Sequence, residues 1–245
     1  MLKVCGVIPV RLGSSRFPGK GLALLDGKEL VLHTLDGARQ YLKFDRLIVA
    51  TDDRAIEKLV SEHGGEIFYS EEPFRNGSER CAATVANIDC DICVNIQGDE
   101  AFINGVIIDR VVRMLEQNSA LPVTTAIFPI ADPGELADRN LVKVALDEIG
   151  RAIRFSRQPI TGNDGVVAVN YGHVGIYAYR KDFLTTYARL SPTKGEIAES
   201  LEQLRILESG FSIGAVCLDT PVMSINTPED LLAASKILSQ VGGAR

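Results

Sequence analysis

The sequence predicts an α/β protein, a mostly parallel sheet with helices on both faces. Three observations predict it. Short apolar runs alternate with segments whose apolar residues recur at helical spacing. Several of the runs end in polar clusters, as strands do where a ligand-binding edge follows. No internal repeat or low-complexity linker interrupts the alternation over 245 residues, a length that fits one domain with a modest insert.

The elements follow in order. Residues 4–10 form the first strand. Leu30, Val31, Leu35 and Ala38 mark a helix. Residues 46–51 form a second strand, ending in Asp52-Asp53. Ile56, Leu59 and Val60 mark the next helix, closed by Gly64-Gly65, with His63 as a helix-end residue. Residues 66–69 form a short strand, 77–88 a helix, 91–96 a strand and 106–115 a helix. The strand at 91–96 ends in Gln97-Gly98-Asp99-Glu100. Right-handed crossovers bring these strand ends to one edge.

The second half is less regular. Residues 123–130, 142–146, 174–179 and 212–218 read as strands, and Gly150-Arg151 as a turn. Residues 197–207 read as one helix with Leu201, Leu204 and Leu207 on one side. Thr227-Pro228-Glu229-Asp230 starts the last helix, with Thr227 as its cap and Pro228 at its first position. The expected organisation is a single domain over 1–245. Its core covers about 1–130 and 211–245, and a small insert about 131–210.

Composition excludes several classes. The formal net charge of −6 and the absence of a basic run argue against nucleic acid as a partner. No apolar stretch approaches the ~20 residues of a membrane span. The N-terminal residues read as a strand and not as a signal peptide. Five scattered cysteines fit reduced thiols, hence a cytoplasmic protein. Cys90 and Cys93 form a CxxC, but the segment is strand-like, and positions three apart on a strand face opposite sides. The three histidines show no triad pattern. His173, among Asn170, Tyr171 and Gly172, is a site candidate.

Residues 11–20, Arg-Leu-Gly-Ser-Ser-Arg-Phe-Pro-Gly-Lys, combine Arg11, Arg16 and Lys20 with Gly13, Gly19, Ser14 and Ser15. Glycines let backbone N–H groups approach phosphate oxygens, and the cations suit a polyphosphate. The loop is neither a Walker P-loop nor a GxGxxG, since five residues separate Gly13 from Gly19 and Gly21 stands where the Ser/Thr would be. Asp99, at a strand end beside this loop, reads either as a Mg²⁺ ligand or as a surface acid. In Asn76-Gly77-Ser78-Glu79-Arg80, Ser78 reads as a helix cap or a ligand contact, and Arg80 can reach an anion or a base edge.

Taken together, these segments resemble the 3-deoxy-manno-octulosonate (Kdo) cytidylyltransferases, also called CMP-Kdo synthetases. The resemblance is carried by Ile8-Pro9-Val10-Arg11 with the loop that follows, Val49-Ala50-Thr51-Asp52, Gly77-Ser78-Glu79-Arg80, and Asn95-Ile96-Gln97-Gly98-Asp99-Glu100. It continues in Phe155-Ser156-Arg157, His173-Val174-Gly175-Ile176-Tyr177, Leu201-Glu202-Gln203-Leu204-Arg205 and Thr227-Pro228-Glu229-Asp230-Leu231. It implies a Rossmann-like nucleotidyltransferase fold with an α+β dimerisation subdomain, a homodimer, Mg²⁺, and transfer from CTP to Kdo for lipopolysaccharide synthesis. Pro9, Val10, Arg11, Ser14, Lys20, Ser78, Arg80 and Gln97 would bind the nucleotide, with Lys20, Arg80 and Asp99 catalytic. Arg157, His173, Glu202 and Gln203 would line the acidic-sugar pocket, and Asp99 and Asn226 would hold the metal.

The sequence departs from the family pattern at Asn226, usually Asp; at Asn76, usually Ser; at Gly21, usually Pro; and over residues 191–196. These departures bear on the acceptor and the metal. The alternatives are an amino-modified Kdo, another acidic sugar, a non-sugar acid, or a nucleotide-binding homologue with impaired catalysis.

Overall fold

A computed structural model describes residues 2–11, 13, 16–161 and 171–242. Its centre is a nine-stranded sheet. In chain order the strands are β1 (Val4–Val10), β4 (Arg46–Thr51), β5 (Glu66–Tyr69), β6 (Ile92–Ile96), β7 (Val123–Pro129), β8 (Lys143–Leu146), β9 (Arg151–Ser156), β10 (Tyr171–Arg180) and β11 (Ile213–Cys217); β2 (Leu24–Leu25) and β3 (Lys28–Glu29) form a separate hairpin. The order across the sheet is β5-β4-β1-β6-β10-β7-β11-β9-β8. It is parallel from β5 through β6. Beyond that it is mixed: β10 runs antiparallel to β6 and β7, and β11 parallel to β7.

The helices are α1 (Leu30–Arg39), α2 (Arg54–Glu62), α3 (Gly77–Val85), α4 (Gly105–Gln117), α5 (Pro133–Ala137), α6 (Lys181–Arg189), α7 (Lys194–Glu199), α8 (Gln203–Glu208) and α9 (Pro228–Gly242). The strand period of two sorts them into two layers. Val4, Ile8 and Val10 of β1, with Ile92, Val94 and Ile96 of β6, pack against Val31, Leu35, Ile56, Ile108 and Val111 from α1, α2 and α4. Cys5, Val7 and Cys93 point the other way, to Cys81, Val85, Leu184, Tyr187 and Ile206 from α3, α6 and α8. Cys93 therefore sits in a core face and not in a metal knuckle.

Capping follows the local chemistry. Asp53 accepts from Ala55 N and Ile56 N at the start of α2, and Asn104 caps α4. His63 ends α2, its Nδ1 against the Leu59 carbonyl. Thr227 Oγ1 accepts from Asp230 N at 3.2 Å, which starts α9 as the sequence predicts. At α3 the cap is Asn76, accepting from Glu79 N at 3.0 Å, and not Ser78, which lies two residues further in, within the first turn, and is fully buried.

Further elements differ from the sequence reading, among them the short helix α5. The helix expected over 197–207 is two helices. A capping box of Thr193 with Glu196 starts α7 earlier, and Ser200, in the left-handed region at φ 53°, ends it before α8 begins. In the sequence Ile197 continues the helical spacing of Leu201 and Leu204 across the break, but Ile197 is exposed while the two leucines are buried. The structure adds the β2–β3 hairpin, turned by Asp26 and Gly27 at φ 52° and 78°, and helix α6. Gly150-Arg151 is a turn that opens directly into β9, which pairs with β8 and β11. The strands of residues 143–180 are thus hydrogen-bonded into the same sheet as the first half.

Candidate active site

The carboxyl ends of β1 and β6 open on one cavity of about 1080 Å³. Pro9, Val10 and Arg11 leave β1 along one wall. Gln97, Asp99 and Glu100 leave β6 along the floor, and Arg80 enters from α3. Arg157, His173, Glu202 and Gln203 line the opposite part, and Asn226 reaches it from the start of α9. The structure therefore gathers eleven of the residues singled out from the sequence around one space. Lys20 and Ser78 stand just behind the lining, and Ser14 lies outside the described residues.

Basic and acidic groups are paired across this space. Lys20 Nζ lies 2.5 Å from Asp99 Oδ2, both side chains largely buried. Arg16 Nη2 donates to Asn226 Oδ1 at 3.2 Å, and its Nη1 to Asn140 Oδ1 at 2.9 Å. Arg80 is nearly buried, with Nη2 2.7 Å from Asp52 Oδ2 and its guanidinium over the Phe74 ring; its Nη1 has no partner among the described residues. The positive loop predicted after β1 and the acid after β6 thus meet directly.

Asp99 and Asn226 are held beside each other because Ile225 N donates to the Asp99 carbonyl at 3.0 Å. Both offer hard oxygen donors. Among the described residues no group of three or more His, Cys, Asp or Glu side chains is assembled for a metal ion. A divalent cation here would draw its remaining ligands from phosphate oxygens and water, which is how Mg²⁺ is commonly held. The donor set fits that ion.

Beneath Asp99, Glu100 is 2% exposed. Its Oε1 accepts from Gly175 N and Ser224 Oγ, and its Oε2 has no partner among the described residues. Burial, with the Asp99 charge beside it, pushes the Glu100 carboxyl up to about 7. Burial likewise pushes Glu202 up to about 7. Glu202 accepts from Ser78 N and from Gln97 Nε2, both at 3.1 Å.

His173 is held by Thr125, whose Oγ1 lies 2.9 Å from Nε2. That hydroxyl donates its one proton to the Ile176 carbonyl at 2.7 Å, so it accepts from His173 Nε2–H. Burial pulls the imidazole down to about 3, so the ring is neutral across the physiological range. Arg157 donates from Nε to the Glu199 carbonyl at 2.9 Å and from Nη1 to the Arg139 carbonyl at 3.2 Å. Its guanidinium is thereby anchored at the cavity wall. Tyr177 Oη donates to Gln203 Oε1 at 3.2 Å.

Sequence reasoning missed the groups that brace this wall. Arg205, fully buried, is clamped between Glu196 and Glu79, at 2.6 Å from Nε to Glu196 Oε2 and 2.8 Å from Nη1 to Glu79 Oε1. Asn76 Nδ2 donates to Tyr187 Oη at 2.9 Å and to Glu196 at 3.2 Å. Lys143, also fully buried, donates to the Leu141 carbonyl at 2.9 Å. The one available signal was Arg205 standing among Leu201, Leu204 and Leu207, a charge inside an apolar helical face.

Comparison with known proteins agrees with this geometry. A family model described as cytidylyltransferase matches residues 5–213. The 3-deoxy-manno-octulosonate cytidylyltransferase of Syntrophotalea carbinolica is 39% identical over 241 residues, covering 94% of this chain and 96% of that one. The protein of the same name from Chlamydia caviae is 38% identical over 239 residues, covering 97% and 94%. A solved structure of CMP:2-keto-3-deoxy-manno-octonic acid synthetase complexed with CTP superposes with a TM-score of 0.87 at 34% identity, over 97% of this chain and 99% of that one. A 4-diphosphocytidyl-2C-methyl-D-erythritol synthase from Anaerococcus prevotii shares the fold alone, at 13% identity and a TM-score of 0.63 over 97% and 99% of the two chains. The α/β layers, the strand-end cavity and near full-length identity converge, and the chain belongs to the cytidylyltransferase family, among the 3-deoxy-manno-octulosonate cytidylyltransferases.

Proposed function

We propose that this chain transfers the cytidylyl group of CTP to the anomeric hydroxyl of Kdo, giving CMP-Kdo and pyrophosphate. The observation that supports it best is the cavity itself. One end offers the cations of the β1 loop beside Asp99, and the other offers Arg157, His173, Glu202 and Gln203. The sugar hydroxyl attacks the α-phosphorus in line, so the protein supplies position and charge and no nucleophile of its own.

In this reading Arg11, Arg16 and Lys20 hold the triphosphate, and Lys20 faces the charge that grows on departing pyrophosphate. Pro9, Val10 and Arg80 bound the nucleoside, with Ser78 supporting the wall from behind and Gln97 at the junction with the sugar. Arg157 supplies the positive field that suits the sugar carboxylate. Neutral His173 adds a hydrogen-bonding ring without a competing charge. Asp99 and Asn226 would hold Mg²⁺, which when bound neutralises phosphate charge and acidifies a coordinated hydroxyl. Asn226 contributes a neutral amide oxygen, so Asp99 carries the anionic share of that site.

A homodimer belongs to the same reading. Ile149 and Ile153, at the β8–β9 hairpin, are 72% and 58% exposed and would be covered by it. The cytoplasm and lipopolysaccharide synthesis follow from the proposed product. Pyrophosphate release from CTP, Mg²⁺ and Kdo tests the reaction, and Asp99→Ala should lower its rate on the order of 10³-fold or more. Release with another acid but none with Kdo would move the activity to a different acceptor. Near-normal turnover by the Asp99→Ala variant would remove its metal role.

A further inference from the structure

Glu202 lines the cavity, yet both its oxygens are engaged by the protein. Oε2 accepts from Ser78 N and Oε1 from Gln97 Nε2, each at 3.1 Å. Gln97 Nε2 also lies 3.4 Å from Asn95 Oδ1, while Asn95 Nδ2 donates to Ser78 Oγ at 3.1 Å. These bonds close a ring through Gln97, Glu202, Ser78 and Asn95. Above about pH 7, where Glu202 is ionised, its carboxylate only accepts, and the Ser78 N–H only donates. The ring therefore fixes which end of the Gln97 amide faces Glu202. The other end, Gln97 Oε1, has no donor among the described residues, and Gln97 lines the cavity. The amide packs over Gly77, where an added Cβ would stand 2.8 Å from Nε2.

We infer that Glu202 is a positioning residue that locks the Gln97 amide with its carbonyl oxygen toward the cavity, so that the site reads a hydrogen-bond donor on its ligand at that point. The inference rests on this cavity being the cytidylyl-transfer site. The donor is an N–H of the nucleotide or an O–H of the acceptor sugar. A group that only accepts is met there by a repelling oxygen.

The substitution Glu202→Gln tests the lock because it changes one atom's polarity at constant shape. Its single carbonyl must serve the Ser78 N–H, which cannot turn. Its amide then donates toward Gln97, whose side chain turns over and presents N–H to the cavity. The charge swap Gln97→Glu with Glu202→Gln returns an acceptor oxygen to the same place. E202Q should lose about 10- to 100-fold in kcat/KM, and Q97E/E202Q should recover at least about tenfold of that. A merely structural Glu202 would not be rescued by the swap.

Calorimetry with CTP separates the two sources of the donor. Weakened CTP binding in E202Q assigns it to the nucleotide. Unchanged CTP binding with a raised KM for Kdo assigns it to the sugar. Ligand-free NMR of the Gln97 side-chain amide tests the lock without any turnover, expecting slow proton exchange in the wild type and faster exchange in E202Q. A wild type inert with Kdo would sink the proposed reaction and leave the NMR reading standing. Unchanged Gln97 exchange in E202Q, or a double variant no better than E202Q, overturns the inference.

Discussion

Glu100 and Glu202 are carboxyls that burial has moved to about 7, from the ordinary value of 4.5. The consequence for stability has a definite sign. Between pH 4.5 and 7 the folded state binds more protons at these two positions than the unfolded state does. Stability contributed there therefore falls as pH rises through that window. The urea midpoint should decline from pH 5 to pH 7.5, and E202Q should decline less steeply while retaining the Glu100 share. An equal slope in both proteins would contradict the assigned cause. At this scale the sequence marked out Arg11, Lys20, Asp99 and Arg80 as candidates because they stand at or near strand ends and a helix start. It did not reveal their partners. That Lys20 meets Asp99 across 79 positions, or that Glu202 turns to Ser78 and Gln97, depends on packing between elements far apart in the chain.

Helices α3, α7 and α8 meet at Arg205. Its guanidinium joins Glu79 of α3 to Glu196 of α7, with the Tyr187 ring 4.7 Å from its centre. A buried charge is tolerated only while its partners remain. Arg205→Met leaves Glu196 without its cation and Glu79 with Arg75 alone, and should cost about 3–5 kcal/mol in chemical denaturation. Glu79→Gln/Glu196→Gln in the same background should restore part of it. Loss below about 1 kcal/mol would show that water replaces the guanidinium. The elements of the first half were legible because each strand and helix shows its own period, and Asp53, Gly64 and Thr227 mark their ends. The boundary between α7 and α8 was not, because apolar spacing continues across Ser200. Residues 191–196, which depart from the family pattern, turn out to cap α7 and to supply Pro192 and Glu196 to the cavity wall.

Across the whole molecule, the parallel half was readable from alternation alone, and the mixed half was not. Alternation says which residues are buried but not which strand sits beside which. The placement of β10 is the instructive case. Ile176 pairs with Ile96 of β6 on one side, and Tyr177 with Thr125 of β7 on the other. It brings His173, Gly175 and Tyr177 to the cavity, so residues from late in the chain complete a candidate site whose other wall comes from the end of β1.

That placement has a cost during synthesis. Until residues 171–180 leave the ribosome, β6 has a finished partner in β1 and an open hydrogen-bonding edge on its other side. Its residues Ile92, Cys93, Val94, Asn95 and Ile96 are the kind of short apolar strand that joins the edges of other chains. A fragment of residues 1–130 should therefore form aggregates that light scattering detects, while the intact chain refolds monodisperse. A soluble, monomeric fragment would show that the edge is protected in some other way. Nascent chains halted before β10 should depend on holding chaperones, and that dependence should end once β10 can slot between its neighbours.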